Sequence, residues 1–159
     1  MQLRFEKMMN TRRNALKKGA ALSTLLLESL MRAEDSFAYQ QSAFDAKTVA
    51  ELNKSLGLSV PLESSQISLL TPEIAENGAV VQVAATTTLA NVRRWIFLVE
   101  KNPIPLVAIF NLTEDVLPSI TARCKFAQTS DFIAYAQLAD GRVYYNKKEV
   151  KVTLGGCGG

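Results

Sequence analysis

Two cysteines hold the thiol chemistry open to this 159-residue chain, and their surroundings are opposite. Cys157 stands in "KVTLGGCGG", with Gly155 and Gly156 before it and Gly158 and Gly159 after it. Half of the chain's eight glycines fall in those five residues, so the tail is a local feature and not a drift in composition. Cys124 stands in "SITARCKFA", where Ile120, Ala122, Cys124 and Phe126 share one face and Thr121, Arg123 and Lys125 the other. That period of two predicts a strand with one buried face. Cys124 is then a small core hydrophobe.

The tail cysteine has no neighbouring side chains to restrict it. With glycine on both sides the backbone is free in φ and ψ, and Leu154 to Cys157 can extend about 10 Å in many directions. Such freedom suits a thiol that must enter pockets on other proteins, and it is poor for catalysis in place, which needs fixed geometry. No histidine, CxxC pair or helix N-terminus accompanies Cys157 to favour its thiolate, so activation is expected from a partner's site. Histidine is absent from the whole chain, which removes His-ligated metal sites and Ser-His-Asp or Cys-His catalysis. No catalytic or metal-ligating set is therefore expected, and no cofactor.

The formal charge of +3 is not a property of the whole chain. Residues 1–38 hold seven Lys/Arg against four Asp/Glu, which leaves eleven of each sign in residues 39–159. The downstream part is neutral, and Arg93-Arg94 before Trp95 is its nearest approach to a basic stripe. That pair reads as the solvated start of a strand, so binding to nucleic acid by phosphate neutralisation is not expected.

The front of the chain reads as an address. A basic region leads to the apolar run Gly19 to Leu27 and then to the small-residue pattern Ser36-Phe37-Ala38, the order of a secretory signal. Thr11-Arg12-Arg13 with Leu16 and Lys17 resembles a twin-arginine export motif, although Ala15 stands where a bulky apolar residue is usual. The alternative is an amphipathic N-terminal helix of the folded domain. The apolar run is shorter than the ~20 residues of a membrane span, and no second such run follows, so a periplasmic product without a membrane anchor is expected.

The elements that must position the tail come next. Phe44, Val49, Leu52 and Leu56 fall near helical spacing in "FDAKTVAELNKSLG", which closes on Gly57 and predicts one helix over 44–57. From Ile67 the helical period gives way to seven strand candidates at 67–70, 79–88, 94–100, 106–112, 119–127, 132–139 and 143–154. Glu76-Asn77-Gly78, Asn102-Pro103-Ile104-Pro105 and Asp140-Gly141 are turn signals between them, the last a hairpin. Seven short strands without crossover helices predict antiparallel neighbours in an all-β, immunoglobulin-like β-sandwich. Trp95 precedes both cysteines, so the Cys…Trp…Cys spacing of antibody domains is missing. The expected organisation is a signal over 1–38, a helix and linker over 39–66, a sandwich over 67–154 and a swinging arm over 155–159.

In an oxidising compartment two cysteines first suggest a disulfide, but a bridge would have to draw the tail across a sheet face to reach the core. The free-thiol reading is preferred, with pairing of Cys157 between molecules as a side form. An idle exposed thiol there would be a liability for mixed-disulfide formation, which points to a use for it.

The terminal "VKVTLGGCGG", "PEIAENGAVV" at 72–81, "VEKNPIPLVAIFNL" at 99–112 and the twin-arginine-like start resemble the SoxY subunits of the SoxYZ sulfur carrier of bacterial thiosulfate oxidation. The resemblance implies a periplasmic immunoglobulin-like sandwich, not itself an enzyme, that pairs with SoxZ and carries intermediates covalently on Cys157. It also implies that SoxAX couples thiosulfate to the thiol, SoxB releases sulfate and SoxCD oxidises the remaining sulfur, with the glycines letting the arm enter each site. Two other classes also fit parts of the sequence. Ubiquitin-like sulfur carriers end in Gly-Gly and are activated at the carboxylate, here Gly159, but in the cytoplasm and on a different strand pattern. A binding or structural domain that dimerises through Cys157 is the other. Prenylation does not fit, because it needs the cysteine fourth from the end.

Overall fold

In the computed structural model, residues 41–154 are described. The signal over 1–38, with Arg12 and Arg13, and the tail over 155–159, with Gly155, Gly156, Cys157, Gly158 and Gly159, lie outside the described residues. Two short helices, α1 (Gln41–Asp45) and α2 (Val49–Ser55), precede nine strands. These are β1 (Leu62–Glu63), β2 (Ile67–Leu70), β3 (Ile74–Asn77), β4 (Val81–Thr87), β5 (Val92–Val99), β6 (Leu106–Asn111), β7 (Ser119–Cys124), β8 (Ser130–Leu138) and β9 (Val143–Leu154).

The strands form two sheets. The larger runs β1-β9-β8-β5-β6, with β3 also joined to β9, and the smaller runs β2-β4-β7. Between them lies the main core, built from Val81, Val83 and Ala85 of β4, Trp95, Phe97 and Val99 of β5, and Phe132, Ala134 and Ala136 of β8. Phe97 is at its centre, edge-on to Trp95, Phe110 and Phe132 with ring centroids 6.1, 5.3 and 5.1 Å away. This is the sandwich expected from the strand pattern.

The larger sheet is covered on its outer face as well. Ile96 and Leu98 alternate with the inward residues of β5 and join Ile133, Tyr135 and Val143 in a second core closed by Ala43, Ala46, Leu52 and Leu56 of the helical segment. Burial on both faces explains why β5 reads as the unbroken apolar run "WIFLV" and not as an alternation.

The expected single helix over 44–57 is two. Thr48 is extended (φ −131°, ψ 155°) and caps α2 by accepting a hydrogen bond from the Glu51 amide at 3.1 Å. The Glu51 carboxylate reaches back to the Lys47 amide at 2.9 Å, a reciprocal cap of the T-x-x-E kind that breaks the helical run there. At the other end Gly57 is left-handed (φ 60°), and the amides of Gly57 and Leu58 bond back to the carbonyls of Lys54 and Asn53.

The purely antiparallel expectation is corrected too. β1 and β3 lie parallel to β9, with Leu62 opposite Tyr144 and Ala75 opposite Val152. The argument from crossover helices holds for neighbouring strands in the chain. β1 and β3 are two- and four-residue pieces that reach β9 from far away in sequence, so no local crossover is needed. The Asp140-Gly141 hairpin forms as expected: Gly141 adopts φ 86°, and β8 and β9 pair antiparallel across it.

Candidate functional site

The described residues reach Leu154, so the geometry on view is the root of the Cys157 tail. β9 delivers that root. Its first part, Val143 to Val150, pairs with β8 from Gln137 to Ser130. Its last part, Lys151 to Leu154, pairs with β3, placing Ile74 opposite Lys151, Ala75 opposite Val152 and Asn77 opposite Leu154. The Lys151 amide donates to the Glu73 carbonyl at 3.0 Å, and the Thr153 hydroxyl to the Glu76 carbonyl at 3.3 Å. From the β7–β8 connection, Thr129 Oγ1 accepts the Val152 amide at 2.9 Å. The Asn77 carboxamide oxygen accepts the Ala79 amide at 2.8 Å, closing the turn that the sequence announces at Glu76-Asn77-Gly78.

Beside the root lies an open groove of about 600 Å³, walled by Ala75, Glu76 and Asn77 on one side and by Leu70, Val80 and Gln82 on the other. Leu70 and Val80 of its lining are more than half exposed, which makes this the apolar flank of the arm's root. Glu76 is the one charged residue of its lining, so the groove offers no cation to an anionic group. The Thr71 hydroxyl on its wall is buried without a hydrogen-bond partner.

Cys124 is where the alternation in "SITARCKFA" predicts: on β7 opposite Val81, 2% exposed, in the main core. Burial pushes its thiol pKa up to about 11, because the apolar surroundings disfavour the thiolate. Its thiol is free. The two cysteines therefore differ by design of the fold: one is closed off between the sheets and the other follows the last strand.

Sequence reasoning missed β3 as a strand and Thr129 as an acceptor for the root. The segment "PEIAENG" carried only its turn signal, and a strand of four residues, one of them a glutamate, shows no period long enough to identify. The Asn102-Pro103-Ile104-Pro105 loop does interrupt pairing as expected, and it also ties the sandwich's end: the Asn102 carboxamide donates to the Lys125 carbonyl at 2.7 Å and accepts the Ala127 amide at 2.9 Å. Among the described residues no His, Cys, Asp or Glu side chains gather in a metal-binding group, and no helix is long and apolar enough to cross a membrane.

The comparisons with known proteins reach the same tail. A family model described as sulfur oxidation protein SoxY matches residues 52–157, from the buried Leu52 of α2 through Cys157. The chain belongs to the SoxY family. A solved SoxY, titled the sulfur carrier protein from Chlorobium limicola f thiosulfatophilum, is similar at 32% identity and a TM-score of 0.58, over 66% of this chain and 94% of that one. The superoxide reductase (neelaredoxin) of Ignicoccus hospitalis is similar at 16% identity and a TM-score of 0.47, over 55% of this chain and 80% of that one. No curated protein matches. Within the SoxY family, then, this chain has the sandwich, the β3-held root and a glycine-flanked cysteine beyond it.

Proposed function

We propose that this SoxY-family protein carries thiosulfate-derived intermediates covalently on Cys157 and presents them to separate enzymes, without being an enzyme itself. The observation that supports it most is the reach of the family match through residue 157, onto a cysteine bracketed by Gly155-Gly156 and Gly158-Gly159. The other thiol, Cys124, is closed in the core and is no rival for the role.

The chemistry asked of Cys157 is modest. In the loading step its thiol and thiosulfate join through a new S–S bond, giving a cysteine S-thiosulfonate with loss of one proton and two electrons. The electrons pass to a partner oxidoreductase of the SoxAX kind. Water then cleaves the terminal S–SO3 bond on a SoxB-type hydrolase, releasing sulfate and a proton and leaving a persulfide. A SoxCD-type enzyme oxidises that sulfane sulfur. Each step belongs to the partner's active site, so the carrier supplies a bond and a reach, and needs no cofactor of its own. Slim glycines on both sides of the thiol let the loaded residue enter narrow sites.

SoxZ is the proposed subunit partner. The Arg12-Arg13 motif and the apolar run after it support export by the twin-arginine route to the periplasm, where thiosulfate would be met.

Intact-mass analysis of the protein from thiosulfate-grown cells tests the proposal. Thiosulfonate or sulfane adducts mapped to Cys157 are the expected result. Finding only unmodified chain and disulfide dimer overturns it, and modification at Gly159 replaces it with the thiocarboxylate chemistry.

A further inference from the structure

The last four residues of β9 are held differently from those before them. Pairing with β8 ends at Val150 opposite Ser130, and from Lys151 onward the ladder partner is β3. That change of partner falls at a firm stop. Val150 is wholly buried, and Ser130, 1% exposed, accepts the Lys101 amide on its hydroxyl at 2.9 Å.

Beyond the stop the hold is slender. β3 has four residues, of which Ala75 alone is buried, while Ile74 is 60% exposed. It holds the root through a short parallel ladder from Ile74 to Asn77, with the Lys151 amide donating to the Glu73 carbonyl and the Thr153 hydroxyl to the Glu76 carbonyl, and from the β7–β8 connection Thr129 accepts the Val152 amide. Val152 is half-buried at the margin of the main core. Edge segments with so little buried surface open at the low end of a protein's range of local stabilities.

We propose that β3 is a clasp on the root of the Cys157 arm. Closed, it pairs with the root as far as Leu154. Open, it releases Lys151 to Leu154 as far as the stop at Val150, and adds four residues, about 13 Å when extended, to the distance the thiol can travel. The arm would then have two lengths, a short one for sites near the sandwich surface and a long one for deeper sites. Using the slack as reach rests on the carrier reading; the clasp itself can be tested without it.

The test is residue-resolved amide hydrogen exchange on the full-length chain and on Ala75→Pro. Ala75 lies two residues on from Glu73, so by the pleat its amide faces β9 as the Glu73 carbonyl does, and proline removes that donor. In the unsubstituted protein the amides of Lys151–Leu154 should exchange at least roughly tenfold faster than those of Val143–Val150. Ala75→Pro should speed them by roughly tenfold again and leave β5 and β8 unchanged. Equal protection along β9, or no response to Ala75→Pro with the core intact, overturns the clasp. Should Ala75→Pro lose protection in β5 and β8, Asn77→Pro, farther from the core and opposite Leu154, repeats the test under the same two criteria.

Discussion

β9 is one strand with two kinds of neighbour. Between Val143 and Val150 it is laced to β8, and Val143 and Val150 are buried on opposite faces of the sheet, one against the helices and the other in the sandwich core. Between Lys151 and Leu154 it rests on β3, with Lys151 and Thr153 exposed and Val152 half-buried. The same alternation of apolar and polar residues runs through both parts, so the difference lies in what packs against them. A carrier can use that difference: a rigid stretch that keeps the arm on the domain, then a lightly held stretch that hands it over to the glycines.

The largest expected effect bears on what lies past both parts. Cys157→Ser should abolish thiosulfate-dependent loading, read as the loss of every mass adduct, while urea unfolding moves by no more than about 0.5 kcal/mol, as for a surface substitution. A loaded Cys157→Ser protein would place the carried sulfur elsewhere.

Within β9, valine truncation should separate the two parts. Val150→Ala removes wholly buried methyl groups and should cost about 2 kcal/mol, whereas Val152→Ala at the half-buried root should cost about 1 kcal/mol or less. Equal costs in urea unfolding would erase the contrast between them.

The two cysteines extend the comparison to pH. Burial raises the Cys124 thiol in the fold to a pKa of about 11 from its ordinary value of 9.0, so the unfolded chain loses its proton first as pH rises. The contribution is complete below about pH 9 and is lost between there and about pH 11, a fall on the order of 2 kcal/mol that Cys124→Ala should remove. A stability curve equally steep in Cys124→Ala would assign the fall to other groups. The smallest effect is expected at the arm: Gly156→Val keeps the thiol but thickens its tether, and should slow loading by roughly tenfold or less. An unchanged rate would refute the need for a slim arm.

Much of this was legible in the residues. Strong alternation in "SITARCKFA" identified both β7 and the burial of Cys124, and Asp140-Gly141 identified the β8–β9 hairpin, because period and turn chemistry are local. Thr48 and Glu51 held a capping signal that the apolar spacing across 44–57 obscured, so two helices read as one. β1 and β3 left no trace of strand character, since their pairing comes from β9, some 80 residues away in the chain, and their own sequences are too short to show a period. Of the candidate site, the thiol and its glycines were visible by type and spacing alone, while the support of its root by Glu73, Glu76 and Thr129 was not.

The sequence by itself determined the chemistry: a histidine-free chain whose available thiol sits between pairs of glycines, after a domain of short strands. Residue types and near-neighbour spacing carry that information without any tertiary contact. Only the tertiary structure decided where the last strand ceases to belong to the core. That boundary, at Val150, arises where β8 ends and a four-residue strand from elsewhere in the chain takes over, and hydrogen bonds between segments so distant in sequence have no local signature.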